Sequence, residues 1–158
     1  MSADDNEFQP SLLDRLSNFE PTIEVDMPRS KTQDLHEMKE SLRRDIASLL
    51  NTRWICRTWP PELRMLDDTV LNYGIPDFTG VNMGDPNNQE FLSRAVRRAI
   101  EIFEPRLLSV RIKRSEGGLD RMLHLRIEGM LHAKPFPEEV AFDAELDVQS
   151  AQFELDRV

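Results

Sequence analysis

Cysteine is almost absent from this 158-residue sequence: Cys56 stands alone. No disulfide can form within the chain, and a reducing compartment is the natural expectation. Long hydrophobic runs are missing as well. Nothing approaches the roughly 18 apolar residues of a membrane span, and the opening Met-Ser-Ala-Asp-Asp-Asn-Glu lacks the apolar core of a secretory signal. The protein is therefore expected to be cytoplasmic, without direct membrane insertion. Glycine is scarce, and Gly74, Gly80 and Gly84 have neither the spacing of a phosphate-binding loop nor a following Lys-Ser/Thr. Basic residues are outnumbered, 20 against 29 acids, which argues against a general nucleic-acid binder because phosphate neutralisation needs clustered Lys and Arg.

Charge is unevenly placed. Residues 1–26 hold seven acids and one base, residues 138–158 again seven acids and one base, so each end carries −6 and the middle +3. With 39% hydrophobic and 31% charged residues, this pattern suits one modest core with solvated segments outside it. Residues 1–30 read as an acidic arm broken by Pro10, Pro21 and Pro28, with a short helical anchor at 11–16 (Ser11-Leu12-Leu13-Asp14-Arg15-Leu16). Residues 31–158 read as a single domain.

Hydrophobic spacing gives the elements of that domain. Ser30 and Gln33 have capping-box spacing, and Leu35, Met38, Leu42, Ile46 and Leu49 recur at helical intervals, predicting a helix over 33–51. Residues 52–86 read as an irregular connection with one short helical turn near Asp67–Leu71. Trp54, Trp59, Leu63, Leu66, Leu71, Tyr73, Ile75 and Phe78 are available to pack it. Asp85-Pro86 resembles an N-cap followed by proline at the first helical position. Phe91, Leu92, Ala95, Val96, Ala99, Ile100 and Phe103 then predict a second helix over 87–103, with Arg94, Arg97 and Arg98 on a solvated face. Pro105 ends it.

The period then becomes two. Leu108, Val110 and Ile112 form one strand, followed by a turn at Glu116-Gly117-Gly118. Leu123, Leu125, Ile127 and Leu131 form the next; after Pro135-Phe136-Pro137, Val140, Phe142, Ala144, Leu146 and Val148 form a third. Gln149-Ser150-Ala151 turns the chain into a last short strand with Phe153 and Leu155. The expected fold class is α+β, two main amphipathic helices packed on a three- to four-stranded, mainly antiparallel sheet.

Chemistry is thinly represented. His36, His124, His132 and Cys56 form no metal-ligand motif, and His124 and His132 would lie about 26 Å apart on a straight strand at about 3.3 Å per residue. No base partners Cys56, and Asp143, Glu145 and Asp147 read as the solvated side of a strand. No cofactor is implied. Carboxylates are abundant, and Glu104 beside a helix end could be one of a glycosidase pair, in a peptidoglycan-cleaving alternative. Glu104-Pro105-Arg106 stands apart because two opposite charges flank a rigid proline at an element junction. Residue chemistry leaves two readings open. In one, the charges form a local ion pair or cap; in the other, Arg106 offers its planar fork to a partner while Glu104 holds it or pairs outward.

The ordered segments Ser11-Leu12-Leu13-Asp14-Arg15-Leu16, Leu49-Leu50-Asn51-Thr52-Arg53, Val70-Leu71-Asn72-Tyr73-Gly74-Ile75-Pro76-Asp77-Phe78 and Phe103-Glu104-Pro105-Arg106-Leu107 resemble TssE, the baseplate subunit of type VI secretion systems. TssE is in turn similar to a small wedge protein of contractile phage tails that has carried a lysozyme-like label. The resemblance covers about residues 11–155. It implies a structural protein rather than an enzyme, joining TssF, TssG and TssK in wedges docked on the inner-membrane complex and helping to initiate a sheath of TssB and TssC. It also implies a partner-binding role for Glu104, Pro105 and Arg106. On this reading Arg106→Ala abolishes sheath assembly and leaves the domain folded, while a sheet edge templates strand addition by a sheath subunit.

Overall fold

A computed structural model of the chain describes residues 31–54, 59–114, 122–133 and 136–157. The acidic arm with its anchor, the capping role of Ser30, Cys56, and the turn at Glu116-Gly117-Gly118 lie outside the described residues, as does Pro135.

Helix α1 spans Lys31–Asn51. Leu42, Ile46, Leu49 and Leu50 recur at helical spacing and are buried on one stripe of it. Helix α2 spans Pro86–Phe103, with Asp85 as its N-cap: the carboxylate accepts from the Asn87 N–H at 2.9 Å, and Pro86 fills the first position, where an N–H has no helical partner. Leu92, Val96, Ala99 and Ile100 form its buried face. Phe91, expected within that stripe, is half exposed and meets Phe78 edge-on at 5.9 Å.

Four strands follow, β1 (Leu107–Arg114), β2 (Met122–Leu131), β3 (Glu138–Asp147) and β4 (Gln152–Arg157). They pair antiparallel in the order β1-β2-β3-β4. The strands bring Leu125, Ile127, Leu131, Val140, Phe142, Ala144, Leu146, Phe153 and Leu155 onto one face against the helices. Helix α1 packs over β4 and α2 over β1. The other face carries the polar alternates, including the pairs His124–Glu145 at 3.2 Å and Lys113–Glu128 at 2.8 Å.

The expected parity fails at one place. Leu108 was to face the core with Val110, but it is exposed, and Leu107 is buried instead. A bulge causes this: β1 advances three residues from Leu108 to Arg111 while β2 advances two from Met130 to Glu128, and Ser109 takes φ 54. Gly129 sits opposite. A Cβ there would lie 2.7 Å from Leu107 Cδ1 and 3.1 Å from the Leu108 carbonyl oxygen, so the bulge closes only over glycine.

The connection from α1 to α2 is more regular than the sequence suggests. Two 3-10 segments, Pro61–Asp68 and Val70–Asn72, replace the single turn expected near Asp67. The Leu66 carbonyl ties them together, accepting from Thr69 Oγ1 at 2.8 Å and Asn72 Nδ2 at 3.3 Å. That orientation turns Leu63 and Leu71 outward, so these two expected packing residues are exposed, whereas Ile75 and Phe78 are buried. Ile75 is anchored to the end of α1: its N–H donates to the Thr52 carbonyl at 3.0 Å, and its own carbonyl accepts from the Trp54 N–H at 3.2 Å. Gly74 permits the approach with φ 111, where a Cβ would stand 2.3 Å from the Thr52 carbonyl oxygen.

Candidate interaction site

The junction between α2 and β1 follows from the proline. Pro105 disfavours helical geometry at the residue before it, and Glu104 accordingly leaves the helix with φ −127 and ψ 74, its N–H still bonded to the Ile100 carbonyl. Its side chain then turns inward and is 6% exposed. Only Ser41 and Glu104 are buried polar or charged residues among those described, so a carboxylate here requires a partner.

Arg106 is that partner. Its Nε donates to Glu104 Oε1 at 2.6 Å and its Nη2 to Glu104 Oε2 at 2.6 Å, a two-pronged geometry that the intervening proline holds in place. Nη2 also donates to Asp45 Oδ2 at 2.5 Å, and Nη1 to Ser41 Oγ at 3.4 Å. Glu104, foremost by these bonds, and then Asp45 raise the guanidinium pKa above its ordinary value; burial opposes them and is outweighed. Tyr73 stands nearby, stacked edge-on with Phe103 at 5.3 Å. Burial pushes its phenol up, as do the charges of Asp45 and Glu104, against a hydrogen bond with Ser48.

The local ion pair weighed from the sequence is thus formed. It also reaches further than Glu104-Pro105-Arg106, because it ties the junction to α1. Sequence reasoning missed Ser41, Asp45 and Tyr73. The available signal was Ser41 and Asp45 four residues apart on α1, each beside a buried stripe residue, Leu42 and Ile46. Two consequences follow. The guanidinium fork is spent within the chain, and two carboxylates face one guanidinium, leaving a net −1 on a cluster whose outermost member, Pro105, is exposed. Arg106→Ala, expected to abolish sheath assembly and leave the domain folded, would strand a buried carboxylate, so a loss of stability is predicted to accompany any loss of assembly. Glu104, weighed as a glycosidase acid, has both oxygens held by Arg106, an arrangement for keeping an ion pair rather than for donating a proton.

The remaining candidates are dispersed. His124 pairs with Glu145, His132 is exposed, and no group of three or more potential ligands could hold a metal among the described residues. Arg97 pairs with Glu101 at 3.1 Å along α2. A cleft of about 460 Å³ runs between α2 and the 3-10 connection, with Trp54, Asn72, Phe91, Arg94, Ala95 and Arg98 in its lining.

The two exposed flanks of the sheet differ. The outer edge of β4 is covered by side chains of α1 and of the residues just after it. Asn51 pairs with Phe153 as a strand would, its Nδ2 donating to the carbonyl at 2.9 Å and its Oδ1 accepting from the N–H at 2.8 Å. Arg43 donates to the Leu155 carbonyl at 3.0 Å, and Arg53 to that of Ala151. Beside β1 no strand is paired among the described residues, and Arg111, Lys113 and Arg114 are exposed along it.

Residues 36–135 match a family model described as baseplate wedge protein gp25, a span that contains Asp45, Tyr73 and Glu104 to Arg106. Neither the curated proteins nor the solved structures yield a significant match.

Proposed function

The chain belongs to the baseplate wedge protein gp25 family, and on that footing we propose that it serves in a type VI secretion baseplate, joining TssF, TssG and TssK and helping to start a sheath of TssB and TssC. Membership itself makes it a structural component of a baseplate wedge. No helix among the described residues is long and apolar enough to cross a membrane, so attachment to the inner-membrane complex runs through partners.

The observation that carries the proposal is the unequal pair of sheet edges. An uncovered strand offers unpaired backbone groups to another chain. With β4 closed by Asn51, Arg43 and Arg53, strand addition falls to β1, whose exposed Arg111, Lys113 and Arg114 favour an acidic incoming strand. The junction of Glu104, Pro105 and Arg106 supplies the second contact. Its net negative charge selects a cationic group on the neighbouring wedge subunit, meeting the cluster beside the exposed Pro105.

Co-purification with the wedge and sheath subunits tests both edges. Arg111→Glu/Lys113→Glu on β1 is expected to lose the sheath proteins and to abolish sheaths by electron microscopy, while Glu154→Lys/Asp156→Lys on β4 retains them. Loss with the β4 variant alone would overturn the assignment.

A further inference from the structure

Beside β1 no strand is paired among the described residues, and the polar face next to that edge is cationic. Arg111, Lys113 and Arg126 stand on β1 and β2 around one carboxylate, Glu128, which Lys113 meets at 2.8 Å and Arg126 at 3.6 Å. Arg114 has the opposite parity and donates to Gln89 of α2 at 3.1 Å. On the core side the edge presents Val110, which is buried, and Ile112, which is half-buried. A strand that completes this edge therefore alternates acidic with apolar residues. The β1 of a second copy does not fit, because antiparallel pairing about a two-fold axis sets the basic residues of one copy against those of the other.

One segment of the chain has the required pattern. Residues 20–26 read Glu-Pro-Thr-Ile-Glu-Val-Asp, with three acids and no base, and Thr22, Glu24 and Asp26 alternate with Ile23 and Val25. Pro21 stands at the start, where a strand tolerates a missing N–H. We propose that this segment of the acidic arm adds to β1 as an antiparallel strand and covers the edge until a partner strand displaces it, the displacement resting on the strand addition assigned to β1 above. With Glu24 opposite Arg111, Ile23 falls opposite Ile112 and Val25 opposite Val110, so one register meets both the charged and the apolar requirement.

The direction follows from helix α1. Lys39 pairs with Glu138, which lies opposite Leu131, and Leu131 lies opposite Leu107, the first residue of β1. Ser41 accepts from Arg106 just before that strand. The N-terminal part of α1 thus lies at the end of the sheet where β1 begins, and a segment leading into it runs antiparallel to β1. Lys31 precedes Ser41 by about 15 Å of helix, and residues 27–30, extended, give a comparable span of up to about 17 Å between Asp26 and Lys31. Tethering also holds the segment at an effective concentration of order mM, ahead of an equivalent segment from another molecule.

Hydrogen exchange of the full chain, read by mass spectrometry on peptides covering residues 107–114, tests the placement. Ile23→Pro/Val25→Pro removes backbone donors from the segment and is expected to speed exchange of the outward β1 amides at least about tenfold, while far-UV circular dichroism confirms the fold. Arg111→Glu/Lys113→Glu is expected to do the same, and adding Glu24→Lys/Asp26→Lys to it to restore slow exchange. The proline variant is also expected to capture TssB and TssC more readily than the wild type. Exchange in β1 unchanged by the proline variant would overturn the proposal. So would protection that disappears on dilution, which assigns the edge to the arm of a second copy. Faster exchange with no gain in sheath capture keeps the arm on β1 and overturns instead the assignment of that edge to the sheath.

Discussion

Consider Arg106→Ala. The guanidinium makes two bonds of 2.6 Å to a Glu104 side chain that is 7% exposed, and one of 2.5 Å to Asp45, which is 26% exposed. Removing it leaves the Glu104 carboxylate buried and unpaired, a change that costs about 3–5 kcal/mol. Asp45 adds little, because water reaches it once the arginine is gone. Against a typical total of about 5–15 kcal/mol, the loss is large enough to deplete the folded protein in a cell. Replacing both partners behaves differently: Glu104→Leu/Arg106→Met removes the buried charge together with its counterion, and most of the loss is expected to return. Urea denaturation measures this through the midpoint at constant slope, and the cycle of single and double variants isolates the coupling. A loss below about 1 kcal/mol in Arg106→Ala, or a double variant no more stable than the single one, would refute the reasoning. The double variant is also the proper probe of partner contact, since failed assembly by Arg106→Ala alone would report lost folding as readily as lost binding.

Two further outcomes are expected. Tyr73 is the only tyrosine, so its ultraviolet titration is unambiguous: burial, with Asp45 and Glu104, raises its pKa, and tyrosinate should appear only above about pH 10. Because the folded value exceeds the unfolded one, the associated stability is complete below about pH 10 and lost as pH rises through the folded value. Asp45→Asn should lower the titration midpoint, and a wild-type midpoint at or below 10 would contradict the burial. Gly74→Ala should destabilise by more than about 1 kcal/mol in thermal unfolding, because φ 111 disfavours a side chain and its Cβ would stand 2.3 Å from the Thr52 carbonyl oxygen.

What could be read in the sequence was set by local periodicity. Helix spacing in Leu42, Ile46 and Leu49, alternation in Val140 to Leu146, the Asp85-Pro86 start and the Pro105 stop each act within a few residues, and each lies where the spacing puts it. Failures came where one strand answers another. The Leu108 parity depends on a bulge that Gly129 permits from β2, and no pattern within residues 107–114 records that. The same limit governs the site. Glu104 and Arg106 are visible because a single residue separates them, whereas Asp45 reaches Arg106 from 61 residues away and becomes part of the site only through the packing of α1.

Helix α1 is also what makes the sheet one-sided. Asn51 and Arg43, with Arg53 just beyond the helix, occupy backbone groups of β4, while Ser41 and Asp45 hold Arg106 at the entrance to β1. Closure of one edge and bracing of the strand that begins the other thus depend on the same helix. A change that loosens α1 should therefore act on both at once, exposing β4 as a competing template while freeing the start of β1. Under the strand addition proposed above, the polar residues of α1 have a role distinct from that of its apolar ones: burial of Leu42, Ile46, Leu49 and Leu50 holds the helix down, while Asn51 and Arg43 would keep a partner strand from β4 and leave it β1.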